Sequence, residues 1–161
     1  MLLYDGVCNL CNGWVNFVLA RDARARYKFA ALQGEVGRAM MTQVGRDPDD
    51  LSTLVLIELP LQEQVGPTTP LPSGRATAET VYDKSEAVLR VVEDVSGPVL
   101  GTAARLARQI IPTAVRDFVY SHIVAPNRYL VFGKSNQCQR ITAAMRPHFL
   151  DLDPSDSGRR R

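Results

Sequence analysis

The sequence predicts an α/β protein built on a mixed four-stranded sheet with flanking helices and additional helices towards the C-terminus. Three observations carry this. Short apolar strands alternate with helical periodicity over the first 45 positions or so, a β-branched run follows at Thr53-Leu54-Val55-Leu56-Ile57-Glu58-Leu59, and the remaining apolar residues recur at helical spacing.

Met1 to Tyr4 is a short apolar stretch that ends at the turn signal Asp5-Gly6, and so reads as a strand entering a loop. Leu10, Cys11, Trp14, Val15, Phe17 and Val18 then recur three and four apart, with Asn12, Asn16 and Arg21 on the opposite side, which describes an amphipathic helix. Tyr27 to Leu32 alternates as a second strand, and Gln33 to Val44 carries a shorter helical pattern that Gly45-Arg46-Asp47-Pro48 ends. Strand, helix, strand is a crossover unit, which favours parallel pairing of its two strands. The run from Thr53 to Leu59 is the third strand, stopped by Pro60. Pro60 to Arg75 holds four prolines and two glycines and reads as a long irregular connection, one that either covers the site or hangs in solvent, the latter being preferred. A fourth strand around Glu79 to Tyr82 would form a hairpin with the third.

From about Ser85 a helix presents Ala87, Val88, Val91 and Val92, and Gly97-Pro98 stops it. Val99 to Ile111 is helical again, with Arg105 and Arg108 opposite Leu100, Ala103, Ala104, Ala107, Ile110 and Ile111, and is expected to face the core. After Pro112-Thr113, Val115, Phe118, Val119 and His122 continue the period to about Val124. Residues 1–150 are expected to form one domain, and 151–161, composed of Asp, Pro, Ser, Gly, Leu and Arg, a disordered polar tail.

Composition narrows the function. Of the 161 residues, 45% are apolar and 22% charged, as in ordinary folded domains. Nineteen basic against seventeen acidic residues are scattered, leaving no footprint for nucleic acid. No apolar run reaches the roughly 18 residues of a membrane span, and the N-terminus lacks the features of a signal peptide, so a cytoplasmic location is expected. The oligomeric state is not legible.

Three cysteines are an odd number, which argues against a purely structural disulfide framework. Two of them form Cys8-Asn9-Leu10-Cys11, directly after a strand and at the start of a helix. Unpaired N–H groups and the dipole at a helix N-terminus stabilise negative charge, and a thiol there can drop to about 3.5–7.5. Cys8 is therefore expected to be the nucleophile. Cys11, one turn further in beside Trp14, Val15 and Val18, is expected to be more buried, to hold its proton more tightly and to act as the resolving thiol. Asp5 has two compatible readings: a base near the sulfurs that takes the Cys11 proton, or a turn residue bonded to the loop amides.

Tyr4-Asp5-Gly6-Val7-Cys8-Asn9-Leu10-Cys11, with an aromatic at Trp14, resembles the signature of the DCC family of predicted thiol–disulfide oxidoreductases. Ser85-Glu86-Ala87, Arg116-Asp117-Phe118-Val119-Tyr120, Asn127-Arg128-Tyr129, Phe132-Gly133 and Cys138 look like its later landmarks, in the same order. The resemblance implies a thioredoxin-like fold with added C-terminal helices, and carries the redox pair onto Cys8 and Cys11 with the acidic partner at Asp5. It names no substrate; exchange with a protein or low-molecular-weight thiol or disulfide, with no cofactor, is what a dithiol pair of this kind leads one to expect. Where thioredoxins place a cis-proline before the third strand, this chain has Leu51-Ser52-Thr53.

Alternatives remain at this stage. Cys8, Cys11 and Cys138 with His122 or His148 would complete four zinc ligands, although the second pair lacks tight ligand spacing. A thioredoxin-like binding module without catalysis is another reading. Cys138 is read as a lone structural cysteine, and His122 and His148 as satisfied or exposed histidines. Arg128 and Tyr129 either line a polar pocket near Asp5 or anchor the last helices through Asp117, the anchoring role being preferred.

Overall fold

The computed structural model describes residues 1–58, 80–134 and 145–150. The connection from Pro60 to Arg75, Cys138 and the 151–161 tail therefore lie outside the described residues.

Strands β1 (Leu2–Tyr4), β2 (Phe29–Ala31), β3 (Val55–Glu58) and β4 (Thr80–Asp83) form one sheet in the order β2-β1-β3-β4. β1 runs parallel to β2 through helix α1 (Asn9–Leu19) and antiparallel to β3, while β3 and β4 pair antiparallel. This is a thioredoxin-like arrangement, mixed as expected, with the third and fourth strands a paired hairpin.

Side chains alternate across a strand, so each strand feeds two cores. Leu2, Tyr4, Phe29 and Leu56 meet Val15 and Val18 of α1 and Ala87 and Val91 of helix α3 (Lys84–Val95) on one face. Leu3, Ala30, Val55 and Ile57 meet Met40 and Met41 of helix α2 (Glu35–Gln43) on the other. On α2, Gly37 lies so close to β2 that an added Cβ would stand 2.0 Å from the Ala31 carbonyl oxygen. Only a residue without a side chain permits that approach.

Helix α4 (Pro98–Ile110) departs from expectation. It packs on α3, but through small residues: Gly101 and Ala104 are buried, whereas Val99 is 84% and Ile110 73% exposed. The apolar stripe is real in sequence, yet the close approach of α4 to the Glu93 carbonyl at Gly101 turns its larger side chains away from the core. Helix α5 (Thr113–Val119), a π-helical segment Tyr120–Val124 and helix α6 (Ala125–Phe132) then continue one another, about eight positions beyond the predicted end near Val124. Gly133 ends α6 with φ +76°, in the region that favours glycine.

The landmarks at Ser85-Glu86 and Arg116-Asp117 meet here. Ser85 Oγ donates to Asp117 Oδ1, and Arg116 Nη1 donates to Glu86 Oε2 at 3.0 Å. Burial disfavours the Glu86 anion, but Arg116, Arg108 and Arg90 outweigh it and hold the carboxyl below its usual range. This pairing fastens α5 to α3. A 3-10 turn, Arg146–His148, brings Phe149 back beside Phe29 and into the core, a contribution the sequence reading left out.

Candidate active site

The end of β1 delivers the chain to the site. Asp5 Oδ1 accepts the Val7 N–H at 3.1 Å, and the Cys8 N–H bonds to the Asp5 carbonyl at 3.2 Å, so the segment turns sharply into α1. Cys8 is the N-cap residue in extended conformation, and Cys11 follows one turn later on nearly the same face. The two thiols are within hydrogen-bonding reach.

Burial drives the Cys11 thiol up to about 12, and the bond to Cys8 and the charge on Cys8 add to this. The Arg128 cation lowers it, and the Asp5 carboxylate raises it by less. Cys11 thus holds its proton tightly, as the sequence reading expects of the resolving thiol.

The burial order is reversed. Cys8, not Cys11, is completely buried, whereas Cys11 is partly exposed. The cause is long-range. Lys134 forms an antiparallel bridge to Cys8, Asn9 N–H donates to the Gly133 carbonyl at 3.4 Å, and Asn9 Nδ2 donates to the Phe132 carbonyl at 2.8 Å. The end of α6 lies over the first turn of α1, and helix periodicity cannot report a neighbour more than 120 positions away.

Asp5 is 1% exposed and sits in a closed set of donors. Oδ1 also accepts Gln33 Nε2 at 2.6 Å, and Gln33 Oε1 in turn accepts the Gly6 N–H at 3.0 Å. Oδ2 accepts the Tyr129 hydroxyl and pairs with Arg128 Nη2 at 3.1 Å. The turn reading of Asp5 has its counterpart in the Val7 contact, and the carboxylate's charge raises the Cys11 pKa.

Arg128 and Tyr129 correct the preferred reading. They meet Asp5 rather than Asp117, whose partner is Ser85. Arg128 Nη1 donates to the Ser52 carbonyl at 2.9 Å and Nη2 to the Leu51 carbonyl at 2.8 Å, so the segment that enters the third strand is tied to the same guanidinium. Burial alone would lower the Arg128 pKa, but its contacts with Tyr129, Asp5 and Cys11 raise it. Burial and the bond to Asp5 raise that of Tyr129.

Tyr120, at the start of the π-helical segment, was not singled out for this role. Its hydroxyl accepts the Leu54 N–H at 3.3 Å, and its pKa is raised first by burial and then by the charge on Cys11. π-Helical insertions recur at functional sites because they re-aim a side chain. Gln33 was missed as well, since only the parallel pairing of β1 with β2 brings it to Asp5.

Among the described residues no group of three His, Cys, Asp or Glu could hold a metal ion. His122 Nδ1 bonds to the Phe118 carbonyl and the ring stacks on Phe118, while His148 Nδ1 bonds to the Tyr27 carbonyl. Cys138, the third sulfur of the zinc alternative, lies outside the described residues.

A dithiol at the N-terminus of a helix, on a mixed four-stranded sheet and backed by a buried carboxylate, is the architecture of a thioredoxin-like thiol protein. The pattern of the DCC1-like thiol-disulfide oxidoreductase family matches residues 2–134, and the chain belongs to that family. It is 40% identical over 139 residues to a chloroplastic DCC family protein of Arabidopsis thaliana, covering 86% of this chain and 68% of that one. It is 36% identical over 150 residues to the uncharacterized protein YuxK of Bacillus subtilis, covering 93% of each. No solved structure matches. Among the described residues no helix is long and apolar enough to cross a membrane.

Proposed function

We propose that the protein is a thiol–disulfide oxidoreductase in which Cys8 attacks and Cys11 resolves. The observation that carries this is the pair of thiols in hydrogen-bonding reach, with Cys8 at the N-cap of α1 and Cys11 retaining its proton. The N-terminal amides and dipole of α1 favour negative charge at Cys8.

The Cys8 thiolate attacks one sulfur of a substrate disulfide, forming a Cys8–substrate bond and releasing the other sulfur as a thiolate that takes a proton. Cys11 then loses its proton and attacks Cys8. The Cys8–Cys11 bond forms, the mixed disulfide breaks, and the second substrate sulfur leaves. The two cysteines lose two electrons and the substrate disulfide gains them; reversal transfers electrons the other way.

Substrates of this reading are protein or small-molecule thiols and disulfides, and residues 1–150 act as one unit. The name of the Arabidopsis relative places that protein in the chloroplast, so a cytoplasmic location for this chain belongs to the proposal.

The test is a redox titration in glutathione buffers, quenched with acid and read by mass spectrometry of the digested protein. A reversible Cys8–Cys11 bond is expected. Cys8→Ser should abolish turnover and Cys11→Ser should trap a mixed disulfide. A pair that never oxidises, with the fold intact, would favour the binding module instead.

A further inference from the structure

Arg128 is more than nine-tenths buried, and two of its partners, Asp5 and Tyr129, belong to the set bonded around the turn that leads into Cys8. Its two terminal nitrogens donate to the Leu51 and Ser52 carbonyls and to the Tyr129 hydroxyl, and pair with Asp5. Nε is different. It is buried, and among the described residues it has no hydrogen-bond partner. A buried guanidinium normally has its donors satisfied, because leaving one unpaired costs about 1–3 kcal/mol. The Asp5 side of the group is full, since a carboxylate offers about four acceptor positions and Val7, Gln33, Tyr129 and Arg128 take them.

We propose that Arg128 is a positioning residue of the dithiol site: its terminal nitrogens lock Asp5 to the Leu51–Ser52 segment, and its remaining charge, with the unpaired Nε–H, stabilises the Cys11 sulfur when that thiol becomes an anion. The inference rests on the resolving role of Cys11. In that step Cys11 S–H loses its proton to solvent, the thiolate attacks the Cys8 sulfur of the mixed disulfide, and the leaving substrate sulfur takes up a proton. The reactive sulfur carries a full negative charge before the new bond forms, in surroundings that burial makes hostile to it.

Four groups bear on that charge. Cys8 lies across the first turn of α1, Asp5 in the turn before it, Tyr120 in the π-helical segment and Arg128 on α6. Cys8 and Asp5 oppose the anion, and Arg128 is the cation among them. The acceptor positions of Asp5 are taken by Val7, Gln33, Tyr129 and Arg128. Asp5 therefore serves the step by holding Arg128 rather than by taking the proton.

The test uses the Cys8→Ser protein, in which the opposing charge of Cys8 is gone, and follows alkylation of Cys11 by iodoacetamide against pH. Arg128→Met is expected to move the inflection of the profile upwards by about one unit or more. At a fixed pH below the inflection the rate should fall about threefold to fourfold for each unit, since the thiolate fraction drops tenfold while its nucleophilicity rises. Arg128→Lys, which keeps the charge but not the fork, should recover most of the inflection while the Leu51–Ser52 segment loosens. A change in access alone alters the limiting rate and leaves the inflection in place. An unmoved inflection in folded Arg128→Met, or in Arg128→Gln should the methionine variant fail to fold, would overturn the proposal. Alkylation requires no redox turnover. A wild-type pair that does not form a disulfide in the glutathione titration would refute the oxidoreductase reading, and the inflection would still report on Arg128.

Discussion

Replacing Asp5 with Asn keeps the shape of the side chain and removes its charge. The carboxylate is 1% exposed and its partner Arg128 7% exposed, so neither is relieved by water. An amide has one acceptor oxygen where the carboxylate has two. Either way Arg128 loses its counter-charge; turned towards Arg128 and Tyr129, the amide leaves the Val7 and Gln33 N–H donors facing an NH2 group, and turned the other way it presents that NH2 group to the guanidinium. Removing one member of a buried pair costs about 3–5 kcal/mol. Because the amide oxygen still accepts on one side, about 3 kcal/mol is expected. With a urea dependence of about 1–3 kcal/mol per molar, that is a midpoint about 1–3 M lower. The assay is urea unfolding of the reduced protein, with Asp5→Asn, Arg128→Met and the double variant compared in a cycle. The double variant should be less destabilised than the two single effects combined, since it removes the charge that Asp5→Asn strands. A second readout carries the opposite sign from loss of a base: the Asp5 charge raises the Cys11 pKa, so Asp5→Asn should lower it and speed Cys11 alkylation. Stability within about 0.5 kcal/mol of wild type, a size usual for surface substitutions, would refute the account of Asp5 as a buried, paired anion.

Gly37→Ala should destabilise the fold by about 1–3 kcal/mol despite the better helix propensity of alanine, because its Cβ would meet the Ala31 carbonyl oxygen at 2.0 Å and backbone must move; a raised thermal midpoint would contradict the packing of α2 on β2. The reduced protein should lose stability as pH rises from about 9 towards 12. Cys11 is lifted from 9.0 to about 12, so the folded state holds a proton that the unfolded chain releases. That contribution is complete below the unfolded value and falls by about 1 kcal/mol per pH unit above it. Urea midpoints compared between reduced wild type and Cys11→Ala should show the alkaline slope only in the former. Asn9→Ala removes the bond to the Phe132 carbonyl and should loosen the cover over Cys8. Labelling of Cys8 in native protein should accelerate by up to about tenfold, the worth of one hydrogen bond, and equal rates would show that this contact does not shield the sulfur.

Several parts of the site were legible from local pattern. The strand, the Asp5-Gly6 turn and the Cys8-x-x-Cys11 spacing lie within ten residues, and the physics that joins them, a turn followed by the first turn of a helix, is itself local. The pairing of the third and fourth strands as a hairpin was legible as well.

What lay beyond reach depends on residues far apart in sequence. Helical period marks Leu100, Ile110 and Phe118 as one class with Val15 and Val91, but burial depends on which face a neighbour covers, and on α4 the buried positions are Gly101 and Ala104. The order of burial at the two cysteines was decided by Lys134 and Gly133 arriving over Cys8. The partners of Arg128 and Tyr129 were decided in the same way, since either Asp5 or Asp117 offers the carboxylate they need and only the path of α6 selects Asp5. The sequence by itself determined which two thiols stand one turn apart at the start of which helix, because helix spacing is a property of neighbouring residues. The tertiary structure alone decided which charges face them and how far water is excluded, because electrostatics and burial act through space.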